Sequence, residues 1–403
     1  MRSWKANLAA ILVAETLAMI GFGLSMPIIP LFLKEDIGIT DPAKLNTWVG
    51  LIQSCASVSL AVFAPIWGHL SDIFSRRTML LRAMFGGAVI IALSAFVTTP
   101  TQFLVLRTIQ GCLTGTVAAA TVLIAGIVPA SQVAFALGML TTMIAVGNSL
   151  GPVFGGLLSD IVGYRAAFFS TGIVLALAGL VVLKWVDKDV KAPSEEAPKK
   201  LTLLPDIKPI KSSPVLITML LIAFAIGVAG SISGPLLPLF LRELIMGVSS
   251  EPVLIGSSIG VVMGVGAAAT AIAAVIIGKY ANQLGYWRTL FLCLGLGALF
   301  TFPQTFVTSV FQLTVLRAFS SFFIGGTGPV TNAIVSVTAD KKNQGTVYGI
   351  KASVSSAGNA VGPMLGAGAA MVSYRMIFLV TAIVLAVSAI LSKIRSPRSQ
   401  TTD

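Results

Sequence analysis

The sequence consists mainly of long apolar segments, each of about 20 residues or more, separated by short polar breaks. A segment of this length crosses the roughly 30 Å hydrocarbon core of a bilayer as a helix, because every backbone N–H and C=O there needs a partner within the protein. The charged fraction is 10%, whereas a soluble domain carries about 25%. We therefore predict an all-α polytopic membrane protein. Its twelve expected spans are 8–33, 46–70, 78–98, 101–128, 132–158, 163–186, 214–241, 253–280, 288–307, 309–337, 344–371 and 373–393.

Short sequence patterns occur twice in the chain, at an offset of 208 to 211 residues. The matching segments are 26–33 with 234–241, 105–107 with 315–317, and 147–152 with 358–363. Two homologous halves in an apolar chain are typical of secondary transporters, whose substrate site lies between the repeats.

The repeat predicts two pseudo-symmetric six-helix bundles, at residues 1–186 and 214–403. The segment between them, 187–213, is rich in lysine, acids and proline. That composition is typical of a polar linker that is partly disordered, and we expect it in the cytoplasm.

The positions of lysine and arginine predict that both termini are cytoplasmic. Of the 27 basic residues, only five would then lie in outward-facing loops and four within spans, which agrees with the positive-inside rule. The net charge of +12 has the same origin, so we do not interpret it as a sign of nucleic-acid binding. The outward-facing residues are Lys34, Lys44, Arg165, Arg242 and Arg375.

Enzyme and cofactor signatures are absent from the sequence. It has no GxxxxGK[ST] phosphate loop and no HExxH motif, and His69 is its single histidine. Cys55, Cys112 and Cys293 lie within spans and are interpreted as small core residues. We expect no catalytic residue, metal or cofactor. The expected partners are a small-molecule substrate, protons and the lipid bilayer, and the chain is expected to act as a monomer.

Three motifs carry a family resemblance. Residues 68–77 (GHLSDIFSRR) resemble the G-x-L-a-D-r-x-G-R-R loop of the major facilitator superfamily, with departures at Ile73 and Ser75. Residues 107–111 resemble the superfamily's R-x-x-q-G motif, and residues 147–156 resemble the g-x-x-x-G-P-x-x-G-G motif of its drug:proton antiporters. The resemblance implies a transporter of a bacterial inner membrane that exports drug-like molecules in exchange for protons by alternating access.

The same resemblance implies a gating role for Asp72, whose carboxylate would meet the start of span eleven around 343–345. Attraction between a carboxylate and a helix N-terminus is about 1–2 kcal/mol when partly buried, enough to bias an equilibrium between two states. Arg76 and Arg77 belong to the same loop motif. They are gating candidates, and simple anchoring at the cytoplasmic surface is the alternative.

Glycines in span five recur every fourth residue, at Gly147, Gly151 and Gly155. This spacing predicts a flat helix face that another helix approaches closely, and Pro152 is expected to bend the helix. Tight packing alone and a role of Gly151 and Pro152 in sealing the transport path both remain open.

Glu15 is the only acid well inside a predicted span. A charged residue at that depth is costly and is expected to face protein or water. Several drug:proton exporters of the superfamily have an acid at about this depth, and Glu15 has the corresponding spacing to Pro27. We predict that Glu15 couples transport to protons, with Arg107 or Lys351 as its partner; the alternative is a structural ion pair.

Arg107, Gln110, Thr114 and Thr121 are spaced as on one face of a helix. We expect Arg107 to act in proton relay or gating, although it could instead satisfy backbone carbonyls. Lys351 has Leu140 as its repeat equivalent, so we expect either a substrate role or snorkelling towards the cytoplasm. The predicted substrate-binding residues are Met19, Phe22, Met26, Gln110, Thr114, Lys351, Ser355 and Asn359.

Two other functions remain open from the sequence. The charges expected within spans sum to +3, which would suit a carrier of an anionic metabolite. A receptor without transport activity is also compatible with this fold, but it would not need titratable residues within spans. The charges in question are Glu15, Arg82, Arg107, Arg317 and Lys351.

Overall fold

The computed structural model describes residues 3–73, 75–129, 132–187, 213–247, 254–338 and 344–394. The side chains at 64, 65, 68, 69, 71–73, 134 and 344–346 are not described. The predicted linker thus lies almost entirely outside the described residues, as do the side chains of His69 and Asp72.

All regular structure in the described ranges is helical. Two short 3-10 helices, Ser94–Phe96 and Phe302–Phe306, follow α4 and α12. The α-helices are α1 Trp4–Ser25, α2 Ile29–Glu35, α3 Pro42–Ile73, α4 Arg76–Leu93, α5 Pro100–Leu113, α6 Thr116–Ile127, α7 Val133–Val162, α8 Tyr164–Trp185, α9 Pro214–Ile232, α10 Leu237–Met246, α11 Ile255–Leu284, α12 Tyr286–Thr301, α13 Val310–Thr338, α14 Gln344–Val372 and α15 Met376–Ile394.

The predicted all-α membrane architecture is confirmed. Within the described residues, eleven helical segments are long and apolar enough to cross a bilayer. The helix at the predicted eleventh span is α14, which carries Lys351, Ser355 and Asn359 and is not among those eleven. Large apolar side chains are exposed on the helices, with Val275 68% and Phe311 77% accessible, as expected of surfaces that face lipid.

Three predicted spans are interrupted rather than continuous. Span one is divided into α1 and α2 at Pro27, which lacks an N–H, and Pro30 lies in the first turn of α2. Residues 233–236 separate α9 from α10 in the same way. Span four breaks between α5 and α6 at Gly115, whose φ of +129° is strained for any residue with a side chain.

Backbone contacts divide the chain into two compact units. The first comprises residues 1–202 and 249–264, and the second comprises 203–248 and 265–403. The first turns of α11 therefore belong to the first unit by their contacts, although α11 belongs to the second repeat by sequence.

Each unit has an aromatic core beside its broken first span. In the first unit, Phe32, Phe103 and Phe168 pack with ring centroids 5.0–5.6 Å apart. In the second unit, Phe240 and Phe378 pack at 5.1 Å. All five rings are fully or almost fully buried, so the repeated sequence produces a repeated core.

Glycines bring α7 into close contact with α1. A Cβ added at Gly147 would lie 2.5 Å from the Met19 Cβ, and one added at Gly151 would lie 2.7 Å from the Gly23 Cα. The face predicted for Gly147, Gly151 and Gly155 is thus a helix contact with no room for a side chain. The corresponding glycines of α14, which pack against α9, are Gly358, Gly362 and Gly366.

Candidate transport site

Glu15 lies near the middle of α1 and is completely buried, with 0% of its surface exposed. Helix α1 packs against α6, α7 and α8. The side chain of Thr116 lies beside the carboxylate, but by distance and angle neither oxygen accepts a hydrogen bond from any described residue. An unpaired buried carboxylate is costly, so this position is suited to binding a proton or a cationic group.

Thr116 is the first residue of α6 and is itself buried. The first amides of a helix lack intrahelical partners and carry partial positive charge. The break at Gly115 therefore places a helix N-terminus, rather than a continuous helix wall, beside Glu15. Sequence reasoning missed Thr116; the available signal was the Thr114–Gly115 pair inside an apolar span.

Arg107 is buried on α5 and does not form the predicted ion pair with Glu15. Its Nη1 donates a hydrogen bond to Gln110 Oε1 at 2.8 Å, and its Cζ lies 5.4 Å from the Phe103 ring centroid. Its Nη2 has no partner among the described residues. The hydrogen-bond partner of Arg107 is therefore Gln110, one turn away on the same helix, and not Glu15 as predicted.

The predicted polar face of span four is wrong beyond Thr114. The Thr114 hydroxyl donates to the Gln110 carbonyl at 2.8 Å, and the Thr121 hydroxyl donates to the Val117 carbonyl at 2.7 Å. Because the helix breaks at Gly115, Thr121 lies on α6 rather than on the helix of Gln110. The predicted face required one continuous helix from Arg107 to Thr121.

The soft side chains predicted to contact substrate differ in exposure. Met19 is 8% exposed and packs at Gly147 of α7. Phe22 is half-buried, and Met26 is 42% exposed in the turn that ends α1. Met26 is therefore accessible, whereas Met19 belongs to the contact between α1 and α7.

Arg76 and Arg77 connect the start of α4 to neighbouring helices. Arg76 Nη1 donates to the Val122 carbonyl of α6 at 3.5 Å, and Arg77 Nη2 donates to the Leu183 carbonyl of α8. The Asp72 side chain lies outside the description, so its contact with span eleven stays a prediction.

Lys351 lies on α14 in the second unit and is half-buried. Its Nζ donates to Thr331 Oγ1 at 2.8 Å and to Asn332 Oδ1, both on α13. These partners are neutral, and no described carboxylate forms an ion pair with the ammonium. Ser355 is half-buried and Asn359 is exposed further along α14.

Arg317, the repeat equivalent of Arg107, also bonds to a neutral group. Its Nη1 donates to Oγ of Ser233 at 3.2 Å, and Ser233 is the C-cap residue that follows α9. Ser233 is buried and was missed from the sequence. Both arginines therefore have an uncharged oxygen as a hydrogen-bond partner.

The chain is similar to one family along its whole length. The family described as Major Facilitator Superfamily matches residues 11–308 and 256–402. Multidrug resistance protein MdtG of Enterobacter lignolyticus is 31% identical, over 99% of this chain and 94% of that protein. MdtG of Citrobacter koseri is 32% identical, over 97% of this chain and 95% of its own.

Solved transporter structures share the fold. A bacterial homologue of the human lysosomal transporter Spinster, in an inward-facing and occupied conformation, has a TM-score of 0.79 at 14% identity, covering 98% of this chain and 97% of that one. The nucleoside transporter NupG has a TM-score of 0.76 at 15% identity, covering 97% and 100%. At these identities the likeness concerns the fold alone.

Proposed function

Because the chain belongs to the major facilitator superfamily, we propose that it exports apolar or amphipathic small molecules in exchange for protons. Its similarity to multidrug resistance proteins over 97–99% of its length supports export of drug-like compounds. Two homologous repeats that rock about a central site would give alternating access. The protein would lie in a bacterial inner membrane with both termini in the cytoplasm.

The observation that carries this proposal is the state of Glu15. Its carboxylate is fully buried, the neutral Thr116 side chain lies beside it without a hydrogen bond of standard geometry, and no described cation pairs with it. A purely structural acid would be expected to have such a partner. A carboxyl group that takes up a proton in one step and releases it in another must be able to exist in both forms. A permanent cation partner would hold it in the charged form. The nearby α6 N-terminus would favour the charged form, and burial would oppose it.

Proton coupling is tested with the Glu15→Gln variant in reconstituted vesicles. Glutamine keeps the size of the side chain but cannot exchange a proton. We expect proton-driven accumulation of substrate to be lost, while downhill exchange and binding survive. Proton release on substrate addition should be seen in the unaltered protein and not in the variant, over a panel of cationic, neutral and anionic compounds.

Glu35→Gln is the matched control, because Glu35 is an exposed acid at the end of α2 that accepts a hydrogen bond from Tyr164 at 2.9 Å. It should retain uphill transport. A folded Glu15→Gln protein that still concentrates substrate against a gradient would exclude Glu15 as the coupling residue. Failure to fold would instead indicate a structural role.

A second candidate is the transport of an anionic compound. The observation in its favour is Lys351, whose ammonium is half-buried and hydrogen-bonded to neutral oxygens. An anionic group of a substrate could supply the missing negative charge. The same vesicle assay distinguishes the candidates, because a carrier of anions should respond to the anionic members of the panel and not to the cationic ones.

A further inference from the structure

Asp160 on α7 binds the first turn of α11. Its Oδ1 accepts a hydrogen bond from the Gly256 backbone N–H at 2.8 Å. Its Oδ2 accepts one from the Ser257 backbone N–H and one from the Ser257 hydroxyl, both at 2.7 Å. Helix N-terminal amides lack intrahelical partners, and the N-terminus favours a negative charge. The cap of α11 is thus supplied by a side chain 96 residues away in the sequence.

Small residues hold the two backbones together below this cap. Gly256, Gly260 and Gly264 recur every fourth residue on α11 and face α7. A Cβ added at Gly260 would lie 2.9 Å from the Val153 Cα, and one added at Gly264 would lie 2.7 Å from the Ser149 carbonyl oxygen. Such a contact gains dispersion energy only at short range, so it is suited to being either fully closed or fully open.

The contact joins elements of different repeats, since α7 belongs to the first and α11 to the second. The Asp160 end of α7 is the outer end in the orientation predicted from the basic residues. In the second repeat, Met371 occupies the corresponding position at the end of α14, and it has no charge. The carboxylate is therefore specific to one of the two repeats.

We propose that Asp160 and the first turn of α11 form an outer latch that closes when the transporter is shut on its outer side and breaks in each transport cycle. The latch rests on the proposed function, because a transporter whose repeats rock must separate α7 from α11 to open outwards. The three hydrogen bonds to the Asp160 carboxylate make the contact strong and directional. The glycines allow α7 and α11 to come together without rearrangement of side chains. It would complement the inner contact expected at Asp72.

The latch is tested by the distance between spin labels at Val162 and Leu254, which are 54% and 57% exposed at the two helix ends. The labels are placed on a cysteine-free protein in lipid vesicles without substrate. The unaltered latch should give a major short-distance population. Asp160→Asn, which removes the charge and one acceptor, should lower the ratio of short to long distances roughly 5- to 30-fold.

Ser257→Ala removes one of the three donors and should give a smaller shift in the same direction. Asp36→Asn is the control, because Asp36 pairs with Arg165 at 3.1 Å and contacts neither α7 nor α11 through that bond; its distances should match the unaltered protein. If Asp160→Asn does not fold, Ser257→Ala provides the test.

Unchanged distances in folded Asp160→Asn and Ser257→Ala proteins would overturn the latch, as would a single long distance in the unaltered protein. The distances are measured without substrate or a proton gradient. A shifted distribution in a protein that transports nothing would therefore leave the latch standing and reject the proposed function. Normal proton-coupled transport, together with distances that the substitutions do not shift, would support the proposed function and reject the latch.

Discussion

At the scale of single residues, three basic side chains within the described spans form hydrogen bonds to neutral groups. Arg107 bonds to Gln110, Arg317 to Ser233, and Lys351 to Thr331. Amide and hydroxyl oxygens orient a cation without neutralising it. Each cation therefore keeps the capacity to interact with a charged ligand or with a residue that moves closer in another state.

Lys351 provides a test of this view. Lys351→Met keeps the length and apolar stem of the side chain but removes the charge. If the ammonium attracts anions, binding of anionic compounds should weaken by about 1.5–3 kcal/mol, the contribution of a hydrogen bond to a charged group, with little change for neutral compounds. Binding to the purified protein, measured by calorimetry over the compound panel, checks the expectation.

Lys393→Met is the matched control, because Lys393 is exposed in the last turn of α15 and loses the same charge away from the candidate site. It should leave binding of all compounds unchanged. An equal loss for anionic and neutral compounds in Lys351→Met would indicate that Lys351 maintains structure and does not select substrate.

The sequence was sufficient to single out these charges but not their partners. Glu15, Arg107 and Lys351 stand out because a charge inside an apolar span is rare. Gln110 was predicted on the same helix face as Arg107, but as a substrate contact; Thr331 and Asn332 are ordinary polar residues that nothing in a single sequence separates from their neighbours. Prediction of the Glu15–Arg107 pair failed because it matched opposite charges and assigned the Gln110 amide to substrate instead of to Arg107.

At the scale of helices, glycine spacing determines which helices touch. Gly147, Gly151 and Gly155 form the α1 face of α7, while the neighbouring Gly156 faces Gly256 of α11. The single motif at 147–156 therefore serves two contacts on different sides of one helix. The first contact was predictable from the four-residue spacing. The second was not, because Gly156 lies outside the series of glycines spaced four apart.

Gly155→Ala and Gly138→Ala form a matched pair on α7. A Cβ at Gly155 would lie 2.6 Å from the Leu24 Cα, whereas nothing lies within 4 Å of one at Gly138. We expect Gly155→Ala to destabilise the protein by about 1–3 kcal/mol through overpacking. Gly138→Ala should be neutral or slightly stabilising, because alanine has the higher helix propensity by about 1 kcal/mol.

Thermal unfolding of the two variants in detergent, followed by the loss of monodisperse protein, measures the difference. Equal melting temperatures would show that α1 and α7 can separate without cost and would contradict the packing account.

The helix breaks at Pro27 and Gly115 were harder to predict than these contacts. Proline and glycine are both tolerated inside membrane helices, so neither residue marks an interruption by itself.

At the scale of the whole molecule, the two repeats share their architecture but not their chemistry. The aromatic cores, the broken first spans and the glycine faces occur in both. Arg107 has a charged counterpart in Arg317, but two other charged candidates do not: Glu15 corresponds to Ala223, and Lys351 corresponds to Leu140. The repeat made the fold predictable from the sequence. Charged residues that have no counterpart in the other repeat indicated where function is expected.

Orientation in the membrane is the remaining prediction at this scale, and it follows from the distribution of basic residues alone. The segment 187–213 is rich in lysine, while the loop after α2 has few basic residues, so the positive-inside rule places the two on opposite sides. Single cysteines are introduced at Ser194 and at Thr40 in a protein whose three native cysteines are replaced. A membrane-impermeant maleimide should label Thr40→Cys in intact cells, and Ser194→Cys only after the cells are permeabilised. Labelling of Ser194→Cys in intact cells, with Thr40→Cys protected, would invert the orientation and would place the Asp160 latch on the inner side of the membrane.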